Sequence, residues 1–367
     1  MNMSAFWSGR RVLLTGHTGF KGAWLSLWLE RLGAETWSLA LPAATQPSLH
    51  ALVARAPDQR AATLDIRDGA ALAAFAREAR PSVVLHLAAQ ALVRVSYADP
   101  AGTFATNVGG TVNLLTALRG APELEAVVVA TTDKVYANDE AGRPFVETDA
   151  LGGHDPYSAS KACCEIAVAS LRDSLFVGGP RIATARAGNV IGGGDWSADR
   201  IVPDMVRAAA RGDALELRSP DAVRPWQHVL EPLAGYLAFA EALATGRTAE
   251  TALNFGPDPE AFARVRELVD AMRDGLGLAQ GWRPQPGEHP REAGLLTLDS
   301  TRARDTLGWR PLLDFRSAAE WTARWYADWR AGADARALCL AQIAAYEALS
   351  REALSRQALS RDRTARP

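Results

Sequence analysis

The sequence predicts a doubly wound α/β fold, with a parallel sheet and a smaller, interleaved second domain. In the first half of the chain, short runs that are apolar throughout alternate with longer helical patterns. Such alternation is typical of parallel strands covered by helices on both faces. A glycine-rich turn follows the first apolar run and opens the first helical pattern. One further apolar run returns late, between Ala252 and Pro257.

The elements follow one another in the order that a doubly wound sheet requires. In chain order the candidates are RVLLTG, GAWLSLWLERLG, ETWSLAL, ALAAFAREAR, SVVLHLAA, TNVGGTVNLLTALRG and AVVVATT. After RIATARAGNVIGGG the alternation ends, and glycine, proline and tryptophan become frequent. We therefore predict one domain over 1–190 and 230–258, a second over 191–229 and 259–346, and a frayed or solvated helix over 347–367.

Composition narrows the class of protein. The 367 residues carry a formal charge of −2, and 48% of them are hydrophobic, as in ordinary globular proteins that do not bind nucleic acid by bulk charge. No apolar run approaches the ~20 residues that cross a bilayer, and no signal peptide precedes the first strand. Three cysteines and six scattered histidines suggest neither a disulfide framework nor a metal site. We expect a cytoplasmic protein without nucleic-acid, membrane or metal partners.

The first turn has the composition of a phosphate-binding loop. Gly16, Gly19 and Gly22 lie between the first strand and the first helix. Glycines allow the backbone to turn sharply and to approach a pyrophosphate, which the helix N-terminus then stabilises. A tight turn without a ligand is the alternative, and the strand–turn–helix context disfavours it.

With the spacing G-x-x-G-x-x-G, the sequence resembles the extended short-chain dehydrogenase/reductase superfamily, whose first domain is a Rossmann-type sheet. The stretches TLDIRD, HLAAQ and TNVGGT support the resemblance. It implies that Asp65 contacts adenine, that the segment 86–90 lies along the cofactor, and that Asn107 marks a kink in a helix. It also implies that the cofactor contacts come from Gly16, Thr18, Gly19, Phe20, Gly22, Asp65, Ile66, Leu87, Ala88, Ala89, Gln90, Thr106, Tyr157 and Lys161.

The expected cofactor is NAD. The second strand ends without an acidic residue for a ribose 2′-hydroxyl and without an arginine for a 2′-phosphate. The residues alone therefore leave NADP open.

Tyr157 and Lys161 are four residues apart and so lie on one face of a helix. A lysine ammonium can stabilise tyrosinate and lower a pKa that is normally near ~10. The phenolate can then remove a hydroxyl proton while hydride leaves the adjacent carbon. Thr132 can hydrogen-bond the same oxygen, so these three residues suffice for alcohol oxidation.

Asp133 and Lys134 exceed what oxidation requires. They follow Thr132 at the end of the apolar run VVVATT. An epimerase of the superfamily needs no acid and base there, whereas a 4,6-dehydratase does. Once C4 of a hexose is a ketone, one group must remove the C5 proton and another must protonate the departing C6 oxygen. Asp133 is the candidate acid and Lys134 the candidate base.

The assignment of the base has a physical difficulty. A free lysine has a pKa near ~10.4, and an ionised carboxylate beside it disfavours the neutral amine. A desolvated pocket, a nearby cation, or a protonated Asp133 acts in the opposite direction. A salt bridge between Asp133 and Lys134 is the alternative.

The Thr-Asp-Lys triplet resembles CDP-glucose 4,6-dehydratases, since other nucleotide-sugar 4,6-dehydratases usually carry Thr-Asp-Glu. The match covers roughly residues 11–326 and includes AGNVIGGGDW and RPWQHVLEPL, which are long and unusual. It implies conversion of CDP-D-glucose to CDP-4-keto-6-deoxy-D-glucose, for deoxysugars of surface polysaccharide such as lipopolysaccharide O-antigen. The preference for cytosine follows only from this resemblance.

The resemblance also implies a set of substrate contacts, namely Gln90, Arg94, Asn107, Asn189 and Arg224. Asn189 would contact the sugar diphosphate, and Arg224 would bind a phosphate with its planar fork. Taken alone, Asn189 would more often be a turn residue and Arg224 a surface charge. The family's usual His-Glu-Ala appears here as Arg291-Glu292-Ala293, which is a departure from the pattern.

A homodimer is also implied. In the resembled family, the helix after Asn107 and the helix with Tyr157 and Lys161 pack against their copies. The stretch ASKACCEIAVASL is rich in small and apolar residues, which suits burial on two sides.

Three alternatives stay open at this stage. Inverting UDP-N-acetylglucosamine 4,6-dehydratases also use Asp-Lys, but with a much shorter path to the tyrosine motif, so the 23 residues from Lys134 to Tyr157 disfavour them. A nucleotide-sugar 4-epimerase is disfavoured by the Asp-Lys pair. A non-catalytic nucleotide sensor with this fold should have lost Tyr157 or Lys161, and both are present.

Overall fold

The computed structural model describes residues 3–54, 60–138, 142–285 and 296–364. The strands are β1 (Arg11–Thr15), β2 (Glu35–Ala40), β3 (Ala61–Thr63), β4 (Val83–His86), β5 (Ala126–Ala130), β6 (Arg181–Arg186), β7 (Val190–Ile191), β8 (Leu215–Leu217), β9 (Val223–Pro225), β10 (Gln227–His228), β11 (Ala252–Asn254), β12 (Phe262–Arg264) and β13 (Trp282–Pro284).

The α-helices are α1 (Met3–Trp7), α2 (Phe20–Arg31), α3 (Leu49–Val53), α4 (Gly69–Ala79), α5 (Val93–Ala98), α6 (Pro100–Phe104), α7 (Gly110–Leu118), α8 (Pro156–Leu175), α9 (Ile201–Arg211), α10 (Leu230–Ala244), α11 (Val265–Leu276), α12 (Thr301–Leu307), α13 (Phe315–Arg330) and α14 (Ala335–Thr364). A π-helical turn occupies Ala105–Gly109, and short 3₁₀ turns occupy Asp133–Val135 and Pro259–Ala261.

Seven parallel strands form the central sheet in the order β11-β6-β5-β4-β1-β2-β3. This confirms the predicted doubly wound fold, including the late strand β11. All five residues of β5 are buried, because helices cover both faces of the sheet. The strand order reverses beside β1, and the carboxyl ends of β1, β4 and β5 meet at one edge. Ligands of such sheets bind at this position.

Two apolar layers hold the sheet between the helices. Alternate residues of one strand enter different layers: Leu14 lies in the larger cluster with α2 and α10, and Leu13 lies in the smaller cluster with α4 and α7. The alternation follows from the two-residue period of a strand. The core therefore fixes the sheet edge where β1, β4 and β5 end.

Three small strand pairs lie outside the central sheet. They are β7 with β10, β8 with β13, and β9 with β12. All six strands fall between residues 190 and 284, where the sequence pattern changes. The division of the chain into two interleaved domains stays a prediction. Within the described ranges, no helix is both long and apolar enough to span a bilayer.

The helix predicted for the tail is the second half of α14, which begins at Ala335. Glu347 on this helix accepts hydrogen bonds from Trp28 Nε1 (3.0 Å) and Arg31 Nε (3.1 Å) of α2. Leu349 packs against the large core, whereas Leu354 is 38% exposed. The helix therefore packs against the core at Leu349 and is more exposed at Leu354.

Glu231 is a buried carboxyl group that joins α10 to the C-terminal helices. It accepts hydrogen bonds from the Leu312 and Leu313 amides (2.9 and 2.8 Å) and from Tyr346 Oη of α14 (2.6 Å). Burial raises the pKa of Glu231 from 4.5 to about 7, against the effect of those three hydrogen bonds. The group is therefore protonated in the folded protein at pH values where the unfolded chain has released the proton.

The predicted consequence is a stability that falls as pH rises from about 4.5 to about 7. In this window the unfolded state binds fewer protons than the folded state, so the unfolding free energy decreases with pH. The decrease in the unfolding free energy over this pH range is on the order of 3 kcal/mol. Replacing Glu231 by glutamine should remove it, because the amide does not titrate. Urea denaturation of both proteins at about pH 5 and about pH 8 measures the difference.

The matched control is Glu352→Gln, which changes a 62%-exposed carboxylate of α14, the helix that also carries Tyr346. It should leave the difference between the two pH values as it is in the unmodified protein. An equal pH dependence in the Glu231→Gln protein would contradict the assignment to Glu231.

Candidate active site

The glycine turn between β1 and α2 brings two backbone segments into close contact. Gly16 has a φ of +80°, and a Cβ atom there would lie 2.7 Å from the Ala88 nitrogen. A Cβ atom on Gly22 would lie 2.0 Å from the Gly16 carbonyl oxygen. The first amides of a helix have no intrahelical acceptor. Gly19, the N-cap of α2, has no side chain that could accept their hydrogen bonds. The turn therefore has the space and the donors that a pyrophosphate requires.

The side chains of Thr18 and Phe20 make contacts within the protein. Thr18 Oγ1 donates a hydrogen bond to the Leu41 carbonyl (2.8 Å). Phe20 packs against the large core, with its ring next to Gly192. The predicted contacts of these two residues with the cofactor are therefore best supplied by their backbone amides.

Thr15 fixes the segment that leaves β4. Its hydroxyl accepts hydrogen bonds from the amides of Leu87 (3.2 Å) and Ala88 (3.1 Å) and lies 2.6 Å from His86 Nδ1. Burial, with the nearby charge of Lys161, lowers the pKa of His86 to about 3. The neutral imidazole therefore supports the 87–90 segment beside the glycine turn; Ala89 and Gln90 of this segment are half-buried.

Asn107 lies at the predicted kink, within the π-helical turn. Its Oδ1 accepts from the Gln90 amide (2.8 Å), and its Nδ2 donates to the Gln90 carbonyl (3.0 Å) and to Ser160 Oγ (2.8 Å). The side chain is buried. These bonds tie the end of β4 to α8, which is a positioning role. The contacts of Asn107 and Gln90 with substrate, and of half-buried Thr106 with the cofactor, stay predictions.

The predicted adenine contact lies after β3. The Asp65 carboxylate accepts from the Arg67 amide (2.9 Å), Nε (2.9 Å) and Nη2 (2.6 Å), and the hydrogen bonds with Arg67 lower the pKa of Asp65. Ile66 is buried beneath Gly110. A Cβ atom on Gly110 would lie 2.4 Å from Cδ1 of Ile66. The Asp65 side chain thus makes an ion pair with Arg67, and Ile66 contributes to the packing of α7.

Tyr157 lies in the first turn of α8 and Lys161 in the next turn. The helix begins at a capped end, because Asp155 accepts a hydrogen bond from the Ser158 amide (3.0 Å). Lys161 Nζ donates to the carbonyl of Ala130 at the end of β5 (3.1 Å), and burial lowers its pKa. Burial raises the pKa of Tyr157 to about 12, whereas its hydrogen bond with Thr132 acts in the opposite direction. Deprotonation of Tyr157 therefore needs further positive charge in the site.

Thr132, Asp133 and Lys134 lie where β5 ends, as the sequence predicts. Thr132 Oγ1 donates to Asp133 Oδ1 (2.8 Å), and Lys134 Nζ lies 3.9 Å from the same oxygen. Lys134 is 36% exposed, whereas Asp133 is 1% exposed. In the part of the chain that the structure describes, Asp133 Oδ2 has no hydrogen-bond partner. This oxygen is therefore available to hydrogen-bond a bound substrate, as the predicted role of acid requires.

Gly188 makes room for that carboxyl group. A Cβ atom on Gly188 would lie 1.9 Å from Asp133 Oδ2, so no larger residue fits. The glycine belongs to the loop between β6 and β7, in the stretch AGNVIGGG. In the sequence only the family resemblance distinguishes this stretch, and its contact with Asp133 is a finding of the structure.

A buried ion pair attaches α8 to the sheet. Glu165, one turn beyond Lys161, accepts from Arg186 Nε (3.0 Å) and Nη2 (2.8 Å), from Thr131 Oγ1 (2.5 Å) and from Thr184 Oγ1 (2.6 Å). Arg186 Nη1 also donates to Tyr136 Oη (2.8 Å). Every carboxylate oxygen of Glu165 is thus hydrogen-bonded, which a buried charge requires. The pair sets the distance between α8 and the end of β5.

Lys21 is a site residue that the sequence reasoning missed. Its Nζ lies 3.4 Å from Tyr236 Oη. Burial, then the charges of Arg200 and Lys161, lowers the pKa of Lys21 to about 8, and Asp133 acts in the opposite direction. Burial, followed by the charges of Tyr157 and Asp133, raises the pKa of Tyr236. The signal available in the sequence is a lysine between two motif glycines, at the start of a helix that is mostly apolar as far as Leu29.

Three of the predicted substrate residues, Arg94, Asn189 and Arg224, make contacts within the protein. Arg94 on α5 is exposed and forms an ion pair with Asp199 (2.9 Å). Asn189 is half-buried with a φ of +48°, and its carbonyl accepts from the Gln227 amide (3.2 Å), so it is also a turn residue. Arg224 is half-buried in β9, where its Nη1 donates to the Val223 carbonyl (2.9 Å). The substitution at 291–293 lies outside the described residues.

Residues 12–256 match the family model described as the NAD dependent epimerase/dehydratase family. The chain belongs to this family. CDP-glucose 4,6-dehydratase of Salmonella typhimurium is 42% identical over 336 residues, covering 90% of this chain and 94% of the relative. dTDP-glucose 4,6-dehydratase of Xanthomonas campestris is 28% identical, covering 86% and 92%. An epimerase structure from Methanothermobacter thermautotrophicus shares the fold, with a TM-score of 0.76, 23% identity and coverage of 90% and 96%.

Membership of the epimerase/dehydratase family confirms the prediction of NAD. The residues present fit this cofactor: the cradle of Gly16 and Gly22 leaves no space for a Cβ atom, and the first turn of α2 lacks a side-chain cap. The pyrophosphate is expected at this turn and the ring systems along the carboxyl ends of the strands. The individual contact residues stay predictions.

Proposed function

We propose that this protein is a nucleotide-sugar 4,6-dehydratase, a lyase, and that its substrate is CDP-glucose. The observation that carries the proposal is the strand end of β5. There Asp133 and Lys134 stand directly beside Thr132, which is hydrogen-bonded both to Asp133 and to Tyr157. An epimerase needs the threonine, the tyrosine and the lysine, but it has no use for an additional acid and base. The 42%-identical relative is a CDP-glucose 4,6-dehydratase, which supports the choice of nucleotide.

The cofactor held at the glycine turn would supply the hydride chemistry, as the acceptor for hydride from C4 of the sugar and its donor to C6. In the first step Tyr157 removes the C4 hydroxyl proton. Lys161 stabilises the phenolate electrostatically from the next turn of α8. Thr132 orients the phenol through the hydrogen bond between them.

The second step is elimination of water across C5 and C6. The C4 ketone makes the C5 proton acidic, and Lys134 removes it. Asp133 protonates the C6 oxygen, which leaves as water. Asp133 Oδ2 is buried, which suits this role. The Lys134 side chain is 36% exposed, and a bound sugar would exclude water from its amine. Hydride from the reduced cofactor would then return to C6, and a proton would return to C5.

The experiment is incubation of the protein and NAD with CDP-, dTDP-, GDP- and UDP-glucose. The expected product is the 4-keto-6-deoxy sugar, formed with the highest kcat/KM from CDP-glucose. A clearly higher kcat/KM with another nucleotide would overturn the cytidine assignment. Formation of a C4 epimer alone would overturn the dehydratase and favour the epimerase. No turnover in any case would favour a nucleotide sensor.

We further propose a homodimer that packs through α8 and its neighbours. Ile166 on α8 is 58% exposed, and Phe104 on the adjacent α6 is 36% exposed. On α5, which also packs against α8, Val95 and Tyr97 are 42% and 55% exposed. Large apolar side chains on three neighbouring helices are typical of a protein–protein interface. The cytoplasmic location stays a prediction.

Replacing Ile166 by glutamate is expected to produce monomers, because the variant places an unpaired charge in the interface. The measurement is light scattering at micromolar concentration, where the unmodified protein should have twice the monomer mass. The control is Val177→Glu, beyond the C-terminal end of α8, which changes a residue that is 79% exposed. A monomeric mass for the unmodified protein would contradict the proposal.

A further inference from the structure

The loop that follows β6 forms one wall around the Asp133 carboxyl group. Gly188 of this loop is half-buried, and a Cβ atom on it would lie 1.9 Å from Asp133 Oδ2. At the other oxygen, Thr132 Oγ1 donates a hydrogen bond to Asp133 Oδ1 (2.8 Å). The carboxyl group is therefore confined at both oxygens, and a displacement of the loop would change its orientation.

Gln227, at the start of β10, holds that loop with its backbone and with its side chain. Its backbone amide donates to the Asn189 carbonyl (3.2 Å). Its side-chain Nε2 donates to the carbonyls of Gly188 (2.8 Å) and Phe255 (3.1 Å). Phe255 directly follows β11, the strand that pairs with β6. The side chain therefore joins the loop after β6 to the end of β11, and so fixes Gly188 beside Asp133.

The side-chain amide of Gln227 has one orientation that suits its surroundings. Because two carbonyl oxygens accept from Nε2, a rotated amide would place Oε1 against both of them. Oε1 is buried and, among the described residues, has no hydrogen-bond partner. A buried oxygen without a partner lowers stability, and a methionine of similar length would lack that oxygen. The two hydrogen bonds of Nε2 are therefore what a glutamine contributes at this position.

We propose that Gln227 is a positioning residue for the acid step, because it keeps Gly188 against Asp133 and so directs Oδ2 towards the C6 oxygen of the sugar. The inference rests on the proposed dehydratase function. In the elimination the C5–H bond breaks and Lys134 takes the proton. The C6–O bond breaks as well, and the proton of Asp133 forms the new O–H bond of water. Loss of Gln227 should therefore slow departure of the C6 oxygen without slowing the oxidation at C4.

The test uses Gln227→Met and two substrates that differ in the group that leaves C6. With CDP-glucose and NAD, rapid mixing should show oxidation at the rate of the unmodified protein, and reduced nicotinamide should accumulate. Product formation should fall by about 10–10²-fold, the effect of a misplaced catalytic group. With CDP-6-deoxy-6-fluoro-glucose the variant should form product as fast as the unmodified protein, because fluoride can leave without a proton from Asp133.

Gly188→Ala tests the same contact from the other side. Its methyl group would lie 1.9 Å from Asp133 Oδ2 and would displace the carboxyl group while Gln227 remains. We expect the same three results: normal oxidation, slow product formation from CDP-glucose, and recovery with the fluoro sugar. This variant also tests the inference if Gln227→Met does not fold.

Two controls separate positioning of the acid from other losses. Gln342→Met removes a glutamine amide that likewise donates to a backbone carbonyl, that of Trp321 on α13 (2.8 Å). It should leave product formation from both sugars unchanged. Lys134→Met lacks the proposed base and should be slow with both sugars, since each requires removal of the C5 proton.

Two outcomes would overturn the inference. Equal losses with both sugars in Gln227→Met and Gly188→Ala would mean that Gln227 supports the fold of the whole site and not the acid in particular. Unchanged product formation from CDP-glucose in Gln227→Met would show that the orientation of Asp133 does not depend on this side chain. Failure of the unmodified protein to form product from either sugar would instead refute the proposed function.

Discussion

Replacing Tyr157 by phenylalanine is expected to abolish the oxidation at C4 and to lower product formation by about 10²–10⁴-fold. The phenol is the group of α8 that is hydrogen-bonded to Thr132 and lies one turn from Lys161. Rapid mixing with CDP-glucose and NAD, followed at the absorbance band of reduced nicotinamide, measures the oxidation separately from the elimination.

The matched control is Tyr236→Phe, because Tyr236 is the other buried tyrosine beside the site. Its hydroxyl contacts Lys21 (3.4 Å). This variant should retain the oxidation. Oxidation at the normal rate in Tyr157→Phe would contradict the assignment of the first base.

Replacing Lys134 by methionine is expected to divide the reaction into two parts. Tyr157 and Lys161 remain, so oxidation at C4 should proceed, but removal of the C5 proton should fail. Overall turnover should fall by about 10²–10⁴-fold. Reduced nicotinamide should accumulate on rapid mixing, and solvent deuterium should not enter C5 of the sugar. Mass spectrometry of recovered sugar nucleotide measures that exchange.

Lys21→Met is the informative comparison for this experiment. It removes another amine close to Asp133, one whose pKa burial lowers to about 8. We expect this variant to retain the exchange at C5. Normal exchange in Lys134→Met would show that Lys134 is not the base, and the pair with Asp133 would then be a salt bridge. Loss of exchange in Lys21→Met alone would assign the base to Lys21.

The parts of the fold and site that are local in sequence could be predicted. The buried strands have apolar runs because both faces of the sheet are covered. The glycine turn has its signature because a Cβ atom has no space at Gly16 or Gly22. Tyr157 and Lys161 are recognisable because one helical turn separates them. Asp133 and Lys134 stand next to each other at the end of one strand.

The parts that depend on distant contacts could not be predicted. Lys21 meets Tyr236 across 215 residues of sequence, and Gly188 meets Asp133 only after β5 and β6 have paired. Asn107 lies at the predicted kink, but the sequence does not show that its side-chain amide hydrogen-bonds with Gln90 and Ser160. A residue type shows which bonds a side chain can make, and the tertiary packing decides which of them form.

The buried pair of Glu165 and Arg186 has a consequence for how this protein can change over generations. Removing either partner leaves an uncompensated charge in the interior, at a cost of about 3–5 kcal/mol, whereas replacing both by apolar residues of similar volume is often neutral. A domain stabilised by only ~5–15 kcal/mol tolerates few losses of that size. The two residues can therefore be exchanged together but not one after the other. We therefore expect inherited variation at these two positions to consist of double replacements, although neither side chain takes part in the proposed chemistry.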